Sequence, residues 1–407
     1  MGLWNRIFGP PDKKRFAQMM SRLLREAGET RAITYDPAEF RLILDGSRAN
    51  SFYLNNVYEE YLAAGRTERK VLLARYALFS QQSREDDLSA SEARDKLLPR
   101  VRERFYHASV RLMAEAQGDE KEGKFPPFRL LNEYLTLELV IDKPDAVAIV
   151  PEGHLEKWGW TFDEALAIGR ENLWKLSKKG FELLGPGLYY STAQDTHDAS
   201  RMYLHDLVWQ HAVKGKHVAM APNRNALLVS GSEEVEGLAQ MANVAGEVLS
   251  QPRPMTGVAF VLEGSNWRPW LPPEQPLRGI FEQLAVRSMA RDIEEQVKWL
   301  EKINQRQGND IFVAQALFYQ RKNEGDFFSV ATWAEGVPTM LPKVDYVALG
   351  ARRNGKHQKI GFAQWDRLEK VAGRLLKKIY DYPPRFMVEE FPSQEELAAM
   401  DLSADAP

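Results

Sequence analysis

Residues 135–176 carry the pattern that most restricts what this chain can fold into. Leucine or isoleucine occupies every second position from 135 to 141, which predicts a strand with one apolar face toward a core. A turn at Lys143-Pro144-Asp145 follows, because proline presets φ and cannot continue a β-ladder. The apolar run 146–150 then predicts a second, more completely buried strand.

The end of the same segment predicts an amphipathic helix. Thr161 and Glu164 have the spacing of a capping box, in which each side chain satisfies a free backbone N–H at the helix start. Gly169 lies inside the apolar stripe, where glycine costs about 1 kcal/mol relative to alanine, so we expect another backbone to pack closely against it. The stripe consists of Phe162, Leu166, Gly169, Leu173 and Leu176.

Composition excludes several classes of site. The 407 residues include no cysteine, so disulfides, thiolate nucleophiles, iron–sulfur clusters and cysteine zinc sites are excluded, and a reducing, cytoplasmic location is favoured. No apolar run is long enough for a membrane-spanning helix. The net charge of −3 excludes neither an acidic nor a basic partner.

The order of elements predicts an α+β fold with antiparallel or mixed sheets flanked by helices. Two polar or proline-rich connectors divide it into a mainly helical N-terminal region (1–122), a central α+β domain (123–270) and a C-terminal α+β domain (271–407). The last domain is predicted as helix, three strands, helix and strand. Its rhythm resembles that of the middle region and is compatible with two related helix-hairpin-helix units, without a residue-level repeat. Its predicted elements after the first helix are strands 311–320, 327–333 and 344–349, helix 365–379 and strand 385–391.

The segment 350–357 resembles a phosphate-binding loop in its spacing but lacks features that such a loop needs to bind phosphate and magnesium. It has the G-x4-G-K spacing after a predicted strand, yet His357 stands where a serine or threonine would hold magnesium, and no helix follows at once. Asn354-Gly355 is the preferred two-residue turn of a β-hairpin, which we favour.

Basic residues accumulate from 350 to 379, a segment that contains nine lysines or arginines and two acidic residues. This segment is a candidate site for nucleic acid or an acidic partner, although charge runs are usually solvated faces. The residues proposed to bind the anion or partner are Arg352, Arg353, Lys356 and Lys359.

Histidines cluster between 197 and 217, together with acidic residues, and a histidine–aspartate hydrolase site within 195–211 is the enzyme alternative. His197, Asp198 and His205 would carry it. The spacings of eight and six residues do not suit metal ligands on one helix, so His211 is better explained as a core-edge residue and Asp195 or Asp198 as a helix N-cap. No metal, cofactor or catalytic residue is therefore predicted.

Several segments resemble the YtpQ-like family of uncharacterised bacterial proteins. They are YLTLELVIDKPD, AVAIVPEGHLEKWGWTFDEALAIGRENLWKLS, DASRMYLHDL and VAMAPNRNALLVS, and the resemblance covers roughly 130–261. The family brings no reaction, cofactor or substrate, so the resemblance implies kinship without assigning functional residues.

These observations predict a cytoplasmic protein-interaction or adaptor module without catalytic activity. Fold signals are abundant, no convergent set of polar residues demands a reaction, and the Trp- and Pro-rich segment 266–276 offers a docking surface. The expected partner is a protein, with nucleic acid as the less favoured alternative.

Overall fold

The computed structural model describes residues 10–45, 47–82, 88–118, 125–143, 146–321, 325–353 and 356–404. Within these ranges, no helix combines the length and apolar character that crossing a bilayer requires. The predicted turn residues Pro144 and Asp145, and the turn residues Asn354 and Gly355, lie outside the described residues.

The N-terminal unit has a hydrophobic core of its own. A three-stranded antiparallel sheet in the order β1-β2-β3 packs with three helices around Phe16, Leu42 and Tyr61. Asp12 caps the first helix, because its side chain accepts a hydrogen bond from the N–H of Arg15 at 2.8 Å. The elements are α1 (Lys13–Glu26), β1 (Ile33–Asp36), β2 (Arg41–Leu44), β3 (Ser47–Tyr53), α2 (Asn55–Ala63) and α3 (Arg66–Gln82).

The predicted strand at 135 is the centre of the next sheet. β6 pairs with β4 on one side and with β5 and β7 on the other, all antiparallel. The predicted apolar row is buried, and the opposite face is covered as well: Thr136 and Glu138 are fully buried, and His107 of helix α5 contacts Thr136 at 3.1 Å. The elements are α4 (Ala90–Lys96), β4 (Leu97–Glu103), α5 (Arg104–Gln117), β5 (Phe128–Leu130), β6 (Leu135–Lys143) and β7 (Ala146–Ile149).

The second strand of this segment is less buried than predicted. β7 lies at the edge of the sheet, and Val147, Ala148 and Ile149 are half-buried, with only Val150 beyond its end fully covered. An edge strand has a neighbour on one side alone, which explains the partial exposure.

The structure confirms the predicted helix, its capping box and the close backbone contact at its glycine. After α6 (Glu152–Trp158), helix α7 (Phe162–Leu176) begins with the Thr161/Glu164 capping box. A Cβ at Gly169 would lie 3.1 Å from the backbone nitrogen of Pro99, so the backbone of β4 is the close neighbour.

A six-stranded antiparallel sheet follows, in the order β13-β12-β10-β11-β9-β8. The segment VAMAPNRNALLVS forms the β10–β11 hairpin that its turn residues 222–225 predict, and residues 185–187 join β8 to β9. Trp267 of the proposed docking segment is buried and donates to the carbonyl of Met202, so it serves the core. The elements are β8 (Phe181–Gly185), β9 (Leu188–Ser191), a 3₁₀ turn (Ala199–Tyr203), α8 (His205–Val208), β10 (His217–Asn223), β11 (Ala226–Gly231), α9 (Val235–Leu249), β12 (Ala259–Glu263) and β13 (Asn266–Trp270).

The C-terminal part contains two four-stranded mixed sheets, ordered β14-β17-β21-β20 and β15-β16-β18-β19. The predicted strand 311–320 is two strands, and the predicted helix 365–379 ends early because β20 begins at Lys377. The elements are α10 (Leu277–Gln307), β14 (Phe312–Val313), β15 (Leu317–Gln320), β16 (Phe327–Ala334), β17 (Thr339–Pro342), β18 (Tyr346–Arg353), β19 (Lys356–Gln364), α11 (Trp365–Ala372), β20 (Lys377–Asp381), β21 (Pro384–Val388) and α12 (Gln394–Ala399).

The predicted α+β class with antiparallel and mixed sheets is confirmed, since parallel pairs β14/β17 and β16/β18 join otherwise antiparallel sheets. Elements also meet across the predicted domain boundaries. β4 pairs with β6, and the long helix α10 contacts both α5 and α9. The three-domain division itself stays a prediction.

Candidate functional site

A cleft of about 2090 Å³ separates the N-terminal unit from the sheet built around β6. Residues of α2 and α3 line one side, β4, β6 and β7 line the other, and α5, α6 and α10 complete the walls. Loops before the 3₁₀ turn and before β12 also reach it. The cleft therefore collects side chains from segments that are far apart in sequence.

Six arginines line this cleft, and the five other than Arg291, which pairs with its neighbour Asp292, are termed the arginine cluster. Arg100 and Arg102 are two residues apart on β4, so the strand alternation places them on one face. The members are Arg75 of α3, Arg100 and Arg102 of β4, Arg224 of the β10–β11 turn and Arg253 of the loop before β12.

Glu138 anchors the β4 side of the cluster. It lies directly across from Arg100 in the ladder, is fully buried, and accepts from Arg100 Nε at 2.5 Å. Arg102 is only 3.9 Å from the same carboxylate, and its guanidinium stacks 3.7 Å from the centre of the Tyr106 ring. One buried carboxylate thus serves two guanidinium groups.

Glu60 of the N-terminal unit reaches the cluster from the opposite side. Its carboxylate is 2.6 Å from Arg253 and 3.6 Å from Arg75, and it accepts from the hydroxyl of Tyr76 at 2.9 Å. The chain thereby supplies an internal anion to two members of the cluster.

Arg224 is left without an anion in the part of the chain that the structure describes. Its half-buried guanidinium makes no hydrogen bond or ion pair there. Burial is the largest of the effects that lower the pKa of Arg224 to about 10. The charge of Glu60 opposes this shift, and the charges of Arg102, Arg100 and Arg75 contribute to it. The side chain is still cationic at neutral pH, so it is ready to accept an external anion.

The backbone around the cleft is held in unusual conformations. Gln194, Thr196 and Arg253 all have positive φ, at 51°, 68° and 60°, and all three line the cleft. Non-glycine residues adopt this region rarely, and such strain concentrates at binding and catalytic sites. Three non-glycine residues of the rim therefore adopt a backbone conformation that costs about 1–3 kcal/mol each.

Carboxyl groups line the α10 side of the cleft. Burial raises the pKa of Asp292 to about 7, despite its contact with Arg291 at 2.9 Å. Burial also raises the pKa of Glu295, and Glu103 adds to the shift of both groups. These carboxyls bind protons more readily than solvent-exposed ones, which reduces the negative charge that a bound anion would meet.

The predicted hydrolase residues have separate structural partners. Asp195 forms a two-point ion pair with the buried Arg201 at 2.6 and 2.9 Å, and Asp198 accepts from Ser191 at 2.6 Å. Asp198 is the N-cap residue of the 3₁₀ turn, as predicted for one of these two positions, but its side chain makes no capping hydrogen bond. His197 is 1% exposed, which keeps its ring from a substrate in the cleft.

Two of the clustered histidines, His205 and His211, contact aromatic rings, whereas His197 lies near a carboxylate. His197 Nε2 is 3.6 Å from Asp142, whereas His205 lies 6.3 Å from the ring of Trp267. His211 contacts Tyr189 at 4.7 Å between ring centres, as expected for a core-edge residue. Among the residues placed in the structure, no three carboxylate or imidazole groups could share a metal ion.

The predicted basic site lies on the β18–β19 hairpin, away from the residues that line the cleft. The register pairs Arg353 with Lys356, and Gly350 with Lys359. Strand alternation puts Arg352 and Lys359 at positions on one face and Lys356 at a position on the other. The four positions do not share a single face.

Other basic residues of this segment are already neutralised. Arg374 pairs with Glu396 at 3.1 Å, and Lys378 pairs with Asp381 at 2.8 Å. Arg367 donates to the carbonyl of Ala399. The local positive charge is therefore smaller than the sequence count indicates.

No protein-family model, curated protein or solved structure matches this chain. The resemblance to the YtpQ-like family stays a prediction. The site must therefore be judged from its own geometry.

Sequence reasoning missed the arginine cluster. Its members lie between 75 and 253 on four separate segments, and only Arg100-Val101-Arg102 gave a local signal. Two basic residues alternating on a buried strand demand a counter-charge nearby, and Glu138 at the centre of β6 is the matching acid. That combination was the available clue.

Proposed function

We propose that this protein is a non-catalytic interaction module whose cleft binds an anionic ligand through the arginine cluster. The observation that carries the proposal is that the arginine cluster contains more guanidinium groups than the protein supplies nearby carboxylates for. The cluster brings five guanidinium groups to one cleft, whereas among the described residues Glu60 and Glu138 are the only carboxylates within 4 Å of its members besides Glu103, the sequence neighbour of Arg102.

The electrostatics favour a ligand that brings negative charge. Like-charged guanidiniums near each other repel, and Arg224 has no carboxylate of its own among the described residues. A carboxylate or phosphate entering the cleft would relieve that repulsion, and guanidinium groups bind such anions through two parallel hydrogen bonds. A cytoplasmic location belongs to the same proposal and is supported by the absence of cysteine.

A binding role is also supported by what the cleft offers chemically. The buried Ser191 donates to Asp198 rather than to a histidine, and His197 is covered. A serine–histidine site for acyl or phosphoryl transfer requires a hydroxyl within hydrogen-bond reach of an imidazole, and Ser109, which lines the cleft, donates instead to the backbone carbonyl of Tyr106.

The test is equilibrium binding of a short fluorescein-labelled oligoglutamate, measured by anisotropy at several salt concentrations. We expect binding at low salt that weakens as salt screens the charges. Arg224→Gln should weaken it about tenfold, because a charge-assisted contact contributes about 1.4 kcal/mol or more.

The matched control is Arg268→Gln. Arg268 has a side chain that is 67% exposed and pairs with Glu263 on β12, outside the cleft. The control should change the affinity less than twofold. Equal affinity of Arg224→Gln and the unmodified protein, or no binding at low salt, would refute the proposal.

The hairpin residues Arg352, Arg353, Lys356 and Lys359 remain a second proposed anion or nucleic-acid site. The quadruple change of these residues to glutamine should leave oligoglutamate binding unchanged if the cleft carries the function. A loss of binding there would move the site to the β18–β19 hairpin.

A further inference from the structure

We infer that the ligand of the cleft is an extended acidic polypeptide segment that adds to the free edge of β7 as a further strand. This inference rests on the proposed function and adds the ligand class and its mode of binding.

The register of β7 leaves one row of backbone groups facing the cleft. The N–H of Val150 donates to Leu139 of β6 at 2.9 Å, and Ala148 pairs with Ile141 two residues earlier. Backbone groups alternate in direction along an antiparallel strand. The N–H and C=O of Val147 and Ile149 therefore face away from β6. The consecutive residues 147–150 all line the cleft although their side chains alternate between the two faces of the sheet, so this edge borders the cleft.

These two residues have no other strand beside them. In the part of the chain with described positions, β7 pairs with β6 alone, and Val147 and Ile149 both line the cleft. An edge with unpaired donors and acceptors is the geometry that an extended peptide completes by strand addition.

The cleft also supplies apolar contacts for such a strand. Val71 of α3 is 71% exposed and lines the cleft together with β7. Strand addition uses backbone hydrogen bonds for affinity and alternate side chains for specificity. An apolar side chain at every second position of the ligand would therefore find Val71 and the half-buried residues of β7.

The positive charge of the cleft favours acidic residues at the remaining positions of the ligand. Arg75 of α3, Arg102 of β4 and Arg224 of the β10–β11 turn line the same cleft as β7 and come from three different elements, so they are spread over a surface rather than gathered around one point. Spread cations fit a chain of carboxylates better than a single small anion. A peptide that alternates glutamate with valine combines both requirements.

The experiment compares two labelled peptides of alternating glutamate and valine. The second carries N-methyl groups on alternate amides, which removes ladder hydrogen bonds while keeping every charge and side chain. We expect the N-methylated peptide to bind at least tenfold more weakly to the unmodified protein.

A protein variant tests the same edge from the other side. Val147→Pro removes a donor that faces the cleft, and proline is tolerated on edge strands when its N–H is not part of the ladder. It should weaken the alternating peptide at least tenfold, whereas the matched control Val147→Thr keeps the N–H and should stay within about threefold. Circular dichroism checks folding. If Val147→Pro misfolds, the N-methylated peptide alone decides.

The outcomes separate the inference from the function on which it rests. Equal binding of both peptides, with a continued effect of Arg224→Gln, overturns strand addition and leaves anion binding standing. Binding of a single-stranded oligonucleotide but not of either peptide, sensitive to Arg224→Gln, overturns the polypeptide ligand. Absence of any binding, or binding that is insensitive to Arg224→Gln, overturns both.

Discussion

Replacing Glu138 by glutamine removes the buried carboxylate on which the β4 side of the arginine cluster depends. Glu138 has no solvent exposure, and Arg100, itself 7% exposed, lies 2.5 Å away. Removing one partner of a buried ion pair costs about 3–5 kcal/mol, because the other charge stays buried without compensation. Glutamine keeps an oxygen that can accept from Arg100, so we expect the low end, about 3 kcal/mol of unfolding free energy.

Urea unfolding followed by tryptophan fluorescence measures this loss. The transition midpoint should fall with an unchanged slope, since the surface exposed on unfolding is the same. Glu263→Gln is the control, because Glu263 pairs with Lys216 at 2.7 Å on the surface, where solvent screens the pair and it contributes little to stability. If both variants lose the same small amount, the reasoning about the buried charge is wrong.

Two further changes test other parts of the fold. Burial lowers the pKa of His107 to about 4, so the ring is neutral in the folded protein above its unfolded pKa of 6.5 and this contribution to stability is fully present there. The free energy of unfolding should fall by about 3 kcal/mol as the pH drops from about 6.5 to 4. The urea midpoints of His107→Gln should lack this pH dependence. A Cβ at Gly257 would lie 2.2 Å from the carbonyl oxygen of Leu284, so Gly257→Ala should cost roughly 1–3 kcal/mol or more in thermal or urea unfolding. Gly153→Ala in α6 meets no atom within 4 Å and should be neutral or stabilising; equal losses in the two glycine variants would contradict the packing argument.

Local signals in the sequence predicted local structure well. The capping box of α7, the close backbone at Gly169 and the β10–β11 hairpin depend on residues near one another, and the structure bears them out. Burial from tertiary contacts was predicted less well. β6 reads as a one-faced strand because Thr136 and Glu138 are polar, yet His107 and Arg100 satisfy them inside the protein.

The arginine cluster could not be predicted from neighbouring residues, because it too depends on tertiary contacts. Arg75, Arg224 and Arg253 meet only after two units have folded and packed, so no spacing in the sequence connects them. The histidine cluster and the basic hairpin drew attention because their residues are close in sequence. Their side chains find separate partners or positions in the fold.

Glu60 has a consequence for any anion that enters the cleft. Its carboxylate already holds Arg253 at 2.6 Å and lies 3.6 Å from Arg75, so a ligand that engages these two arginines must replace a carboxylate that is attached to the chain. Binding there is an exchange between two anions rather than a simple addition. The measured binding free energy is then a difference between two sets of ion pairs. The apparent affinity equals the intrinsic affinity multiplied by the fraction of molecules in which Glu60 has released the arginines.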